Sequence, residues 1–382
     1  MAAMTAPVPW TVVGHTADES EPAVGLGHLI AWLDEQPSIE LHTVLWAWGP
    51  AGTSRYERGH FMNVGDDHRR LLARGLRSVG LARMGGGVAG RAVRSTLRRA
   101  PRSGVLYLST AAAAPVVRYL PPGERTVITH LHAVDRLADP PLTPDRVARV
   151  VEATDVWLAA DEETAAWAAD EWGLDPTSIN VVPEPVDPRH WNRAARPVDP
   201  GHLRLGLAGA GWFQTDHTSR VVQSLLKLRP ELRLELVWTE AMRSRDHLAP
   251  LLHDLDRLGV LDAFELPDSP EEVRDSLDDI DALAVTSPDH EAPWVTEEAA
   301  ARGVPVACFD THRAAHNVRD GAGFVVDYLD IVGMATGLLA IHEGERVPEA
   351  AEINARRQAL YRRSVTTIGT RLLELAGGGG IT

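Results

Sequence analysis

The chain has 382 residues, a formal net charge of -15, 44% hydrophobic and 24% charged residues. That acidic balance argues against nucleic acid as the main partner. No apolar run approaches the ~20 residues needed to span a bilayer. The single cysteine, Cys308, excludes an internal disulfide and a multi-cysteine metal site. The opening residues, MAAMTAPVPWTVVGH, lack the basic start and long apolar core of a secretory signal, so a cytoplasmic protein is expected.

Along the first half, apolar runs alternate with stretches of helical spacing. Trp10–Gly14, Leu41–Trp46, Gly104–Leu108, Thr126–Thr129, Val156–Ala159 and Ile179–Val182 read as buried parallel strands. Helical patterns run over Gly25–Leu33, His68–Leu81, Gly90–Arg99 and Glu162–Trp172. From Arg69 to Arg102 there are ten arginines and no acidic residue; Arg91, Arg94 and Arg98 share one helical face, Val93 and Leu97 another. The arginine face suits a solvated helix, or peripheral contact with an anionic inner-membrane surface.

Pro183-Glu-Pro-Val-Asp-Pro188 and Arg196-Pro-Val-Asp-Pro200 form a proline-rich link where a domain boundary is expected. A second α/β series follows, with strands at Leu203–Ala208, Leu232–Trp238, Ala263–Leu266, 281–286, 304–309 and 323–326. Glu352–Leu375 reads as one final helix. Alternation of this kind predicts an α/β protein of two doubly wound Rossmann-like domains with right-handed crossovers. The expected division is 1–185, 202–355 and a C-terminal segment 356–382.

The strand at 281–286, its following loop and the helix ending at Gly303 form a βαβ unit with the next strand. Open α/β sheets bind ligands beyond the carboxyl ends of their strands. Glu298 on that helix can accept both hydroxyls of a ribose, and its side chain is expected to face a cleft rather than the core. The unpaired amides of Trp294, Val295 and Thr296 suit phosphate. Asp289, His290 and Glu291 in the preceding loop could meet sugar hydroxyls. His130 and His132 end a strand; one is expected to face the cleft and the other to be a hydrogen-bonded core histidine, with His132 favoured for the cleft. The 16 histidines show no His-x-x-x-His beside a carboxylate set, so no metal is expected.

Glu298-Ala-Ala-Ala-Arg-Gly-Val-Pro-Val306, with Cys308-Phe-Asp310, Ala322-Gly-Phe-Val-Val326 and Tyr328-Leu-Asp330, resembles the signature of glycosyltransferase family 4. Thr129-His-Leu-His132, Ala153–Glu162, Asn180–Asp187 and Leu234–Trp238 extend the resemblance over most of the chain. It implies the GT-B fold, two domains facing across a cleft with a C-terminal helix crossing back to the N-domain. It also implies retaining, metal-independent sugar transfer from a nucleotide-diphosphate donor by front-face displacement, without a cofactor. The acceptor would be a small molecule, a glycan or a lipid-linked acceptor held by the N-domain, near the turn containing Gly25 and Gly27, and a homodimer is compatible. The family's Arg-Lys pair, after the loop that contains Gly211, falls here on Asp216 and His217. Leaving-group charge would then pass to Arg313 or a protonated His217. The alternative is a catalytically inactive GT-B protein that binds a ligand or a partner enzyme.

Overall fold

A computed structural model describes residues 6–14, 21–46, 57–64, 91, 93–136, 142–191, 199–209, 215–239, 245–267, 270–286, 294–310, 315, 318, 323–345 and 349–377. The chain divides into two compact units. The first takes the chain to Val186 and again from Arg363 onward; the second is Asp187–Arg362, joined by three residues near the start of the chain.

In the first unit, β1 (Val8–Gly14), β2 (Ile39–Leu45), β3 (His60–Asn63), β4 (Gly104–Leu108), β5 (Arg125–Leu131), β6 (Val156–Ala159) and β7 (Ile179–Val181) form one sheet. Its order is β3-β2-β1-β4-β5-β6-β7, with every neighbouring pair parallel. Parallel pairing requires crossovers, and these bury both faces. Successive residues therefore enter opposite cores: Val13, Leu106 and Trp157 face one, and Val12, Tyr107 and Leu158 the other. Residues 93–97 are helical and send Val93 and Leu97 into the first core, while Arg91, Arg94 and Arg98 stay exposed. The predicted helix at His68–Leu81 lies outside the described residues.

Helix α1 (Glu21–Asp34) corrects the turn expected around Gly25 and Gly27, because both glycines lie inside the helix. A Cβ on Gly25 would stand 3.1 Å from Glu184 Cβ and 3.2 Å from Pro185 Cδ, so glycine lets α1 approach the Glu184–Pro185 backbone. Helices α2 (Pro144–Ala153) and α3 (Glu162–Trp172) follow later in this unit; Asp161 caps α3 by accepting from the Thr164 amide at 2.7 Å.

The second unit contains β8 (His202–Ala208), β9 (Arg233–Trp238), β10 (Phe264–Glu265), β11 (Ala282–Val285), β12 (Val306–Phe309) and β13 (Gly323–Val326), in the all-parallel order β10-β9-β8-β11-β12-β13. Its helices are α4 (Thr215–Leu228), α5 (Arg245–Arg257), α6 (Pro270–Ser276), α7 (Trp294–Arg302), α8 (Ile331–His342) and α9 (Ala350–Tyr361). Leu205, Leu207, Leu236 and Phe309 join one core with Val222 of α4, Leu251 of α5 and Leu338 of α8. Leu283, Val285, Val306 and Cys308 alternate with them and are fully buried. Gly303 ends α7 with φ 77°, a left-handed conformation that favours glycine.

The single helix expected over Glu352–Leu375 is two helices. It breaks after Tyr361, and α10 (Val365–Gly377) begins only after the Val365 amide and the Arg363 carbonyl have each bonded to Val186. Those strand-like bonds take backbone groups that a continuous helix would need. Helix α10 crosses back to the first unit, where Ile368, Leu372 and Ala376 pack with Trp10, Leu29 and Leu33. Leu372 is fully buried there. Leu372→Ala is expected to destabilise the protein by roughly 2–5 kcal/mol through transfer and cavity terms. Urea denaturation measures this; a change below ~0.5 kcal/mol would mean that the helix adds no core to the first unit.

Candidate functional site

Two constellations of polar groups lie at carboxyl ends of strands, one in each unit. In the first unit β5 delivers His130 and His132. The His130 ring lies between Tyr107 and Val182, with Nδ1 2.6 Å from the Tyr107 hydroxyl and Nε2 2.7 Å from the Val182 carbonyl. A carbonyl can only accept, so Nε2–H donates to Val182, and the Tyr107 hydroxyl donates to a bare Nδ1. The imidazole is neutral. Burial first, then the neighbouring His132, pushes its pKa down to about 3. Both nitrogens are thus engaged, as expected of the hydrogen-bonded core member of the pair, and the ring ties β5 to β4 and to the residue after β7.

His132 is held differently. Its Nδ1 lies 2.7 Å from Glu184 Oε1, and both side chains are buried. Burial raises the Glu184 pKa, but the hydrogen bond and charge of His132, then the charge of Arg363, outweigh it and hold the carboxyl far below its ordinary value. An ionised Glu184 accepts, so His132 carries a proton on Nδ1. A carboxylate that fixes one nitrogen of an imidazole sets its tautomer and orientation. Asp135 completes the mount: its two oxygens accept from the amides of Ala111, at 3.0 Å, and His132, at 3.1 Å. Burial pushes its pKa up to about 6.

In the second unit Thr218, in the first turn of α4, bonds Thr286, just beyond β11, at 2.8 Å, fixing that helix start at the sheet's carboxyl edge. His217 beside it stands perpendicular to Phe309 and Tyr328, with 6.2 Å between ring centroids in each case. Its Nδ1 is buried without a hydrogen-bond partner among the described residues. The side chain of Asp216 is outside the described residues, as are Gly211, Asp289, His290, Glu291 and Arg313.

Trp294, Val295 and Thr296 form the first turn of α7 and are buried. Glu298, one turn on, is not open as expected. It is 4% exposed, its Oε2 accepts from the Trp191 indole at 3.2 Å, and Arg302 Nε lies 3.7 Å away. Burial raises its pKa against the opposing charges of Arg274 and Arg302. Trp191 is pinned in turn: Arg357 donates to its carbonyl at 2.6 Å and Tyr361 packs on its ring at 5.2 Å. Two oxygens offer about four lone-pair sites, so one indole does not saturate this carboxylate.

Tyr107, Asp135, Glu184 and Trp191 were not singled out from the sequence. Glu184 was visible as the acid between two prolines, but its partner is 52 positions away. The other three carry no local signal.

The His130 assignment has a pH signature. Between its unfolded value near 6.5 and its folded value of about 3, the unfolded chain binds a proton that the fold refuses, so stability falls as pH falls. Asp135 acts with the opposite sign between about 6 and 3.8. His130→Gln removes the first contribution only. From pH 7 to pH 5 the variant is expected to lose about 2 kcal/mol less stability than the parent. Urea titrations at the two pH values test this, and equal losses would show that His130 is not buried in its neutral form.

No protein-family model and no curated protein matches the sequence. Solved structures do match. HepE of Anabaena, crystallised with UDP-glucose, is 16% identical and superposes with a TM-score of 0.64 over 97% of this chain and 100% of its own. Sucrose-phosphate synthase of Thermosynechococcus elongatus gives 14%, a TM-score of 0.63 and coverage of 96% and 98%. TarM gives 9%, 0.66, and 98% and 100%. Two parallel sheets of seven and six strands, matched over the whole length of these structures, are those of the GT-B fold.

Proposed function

We propose that the protein is a glycosyltransferase that takes a sugar from a nucleoside-diphosphate sugar and transfers it with retention, without a metal at the reacting centre. One conjunction carries this reading. The fold matches, over its whole length, that of HepE, which was solved with UDP-glucose, and the motif Glu298–Val306 spans α7 and the start of β12.

The roles divide between the two constellations. Glu298 accepts hydroxyls of the donor ribose, and the first-turn amides of α7 face the diphosphate. The acceptor hydroxyl attacks the anomeric carbon on the face from which the diphosphate departs. The carbon–oxygen bond to phosphate breaks, and the acceptor's proton leaves with the departing phosphate oxygen. Charge on that leaving group demands stabilisation, usually the largest catalytic term. Arg313 and a protonated His217 are the candidates. His132, oriented by Glu184, positions the reacting sugar and acceptor. The exposed Arg91, Arg94 and Arg98 suit an anionic bilayer on which a lipid-linked acceptor would be met.

Thermal shift with a panel of nucleoside diphosphates and their sugars is the first test, since a bound ligand raises the melting point by mass action. At least one is expected to do so. Glu298→Gln keeps an acceptor for Trp191 and should weaken that binding by roughly 1.5–3 kcal/mol. His132→Ala should spare donor affinity and reduce transfer or donor hydrolysis. Nucleotide binding with no turnover for any acceptor would favour the inactive alternative. No shift with any nucleotide would remove the donor site altogether. For the arginine face, binding to acidic vesicles should fade with added salt, as screening demands; equal binding to neutral vesicles would count against it.

A further inference from the structure

The edge of the first sheet gathers a second set of chemistry-bearing side chains that the transferase reading does not use. Glu40 and His42 are two residues apart on β2, so they project from one face of the strand. His60, the first residue of the edge strand β3, is the direct register partner of His42. Parallel pairing thus brings Glu40, His42 and His60 together although 18 positions separate the two histidines. The Glu40 Oε1 oxygen is 3.1 Å from His42 Nε2 and 3.8 Å from His60 Nε2, and one ligand atom from each residue falls within 4.8 Å of the other two.

We propose that these three residues form a site for a divalent transition-metal ion of the zinc type, which clasps β3 to β2. Two imidazoles and one carboxylate are a donor set that such ions favour over magnesium or calcium. Tetrahedral ligands at about 2.0–2.1 Å from zinc stand roughly 3.3 Å apart, so the cluster is already near the required spacing. The remaining closure falls on mobile groups: the side chains of Glu40 and His60 are 45% and 68% exposed. His42 is the fixed member, its side chain only 8% exposed. Three protein ligands leave a fourth position for water. The imidazole rings of His42 and His60 stack at 4.7 Å, which orients both nitrogens toward the same carboxylate oxygen.

Position separates this site from the transfer chemistry. Glu40 and His60 lie at the amino ends of their strands, whereas His132 follows the carboxyl end of β5. An ion here lies at the opposite edge of the first sheet from His132. Its effect falls on β3, a four-residue strand at the edge of the sheet among the described residues. The metal-ligand set that sequence spacing did not reveal is built by strand pairing.

The test uses the full chain, stripped of metal and titrated with Zn²⁺ against a chromophoric chelator. Thermal unfolding is followed in parallel, and Co²⁺ serves as a spectroscopic substitute. The expected result is one tightly bound equivalent, a higher melting temperature with Zn²⁺, and visible bands of tetrahedral Co²⁺. His60→Ala, at an exposed position that tolerates truncation, should weaken binding by more than about tenfold and abolish both other signals. His253→Ala, at an exposed helical position elsewhere, should change nothing. The proposal is overturned if the parent protein gains no stability from Zn²⁺, or if His60→Ala binds as tightly as the parent.

Discussion

A strand in an all-parallel sheet is always re-entered from the same end, so each crossover must run back over one face. Both sheets of this protein obey that constraint, and their contents follow from it. Adjacent residues such as Val12 and Val13 bury themselves in different cores. Every strand-to-helix turn collects at the carboxyl edge, where backbone amides are unpaired and side chains are free of ladder duties. His132, Thr286 and the start of α7 all lie at such ends. Chemistry concentrates there because the interior of the sheet has no room for it.

The two constellations manage buried charge in different ways. In the first unit the cost of burying Glu184 is offset by a histidine that donates to it and an arginine beside it. His130 avoids the problem by remaining neutral, its lone pair filled by Tyr107. In the second unit Glu298 has, among the described residues, one indole donor and a nearby guanidinium, and burial still raises its pKa. That carboxylate is the less satisfied of the two. A polar ligand supplying hydroxyl donors would relieve it, whereas a second acid would find little welcome.

Much of this was legible in sequence because the signals are local. Runs such as Gly104–Leu108 and Val156–Ala159 are dense in β-branched and aliphatic residues, and they are strands with the same limits. The edge strand β3 escaped notice, since His60-Phe-Met-Asn63 has neither a long apolar run nor a clean alternation. The break after Tyr361 also escaped, because Arg362 and Arg363 are good helix formers and only the distant Val186 dictates otherwise. Site residues divide in the same way. Glu298 and His132 stand in recognisable segments, but Glu184, Trp191 and Tyr107 acquire meaning only from partners remote in sequence. Helical spacing rules miss the Glu40, His42 and His60 cluster, which is a product of strand register.

Helix α10 has a consequence for synthesis. It completes a core begun by Trp10 and Leu29, yet it is made more than 300 residues after them. A ribosome emits the first sheet long before the surface that seals it, so that sheet must wait with one face incompletely covered. The second unit is nearly contiguous and can close as soon as α9 emerges. Vectorial folding therefore runs against chain order: the later-made unit can mature first, and the earlier one finishes only once α10 has been made. Nascent chains stalled short of Val365 should depend on chaperones in a way that chains containing α10 do not.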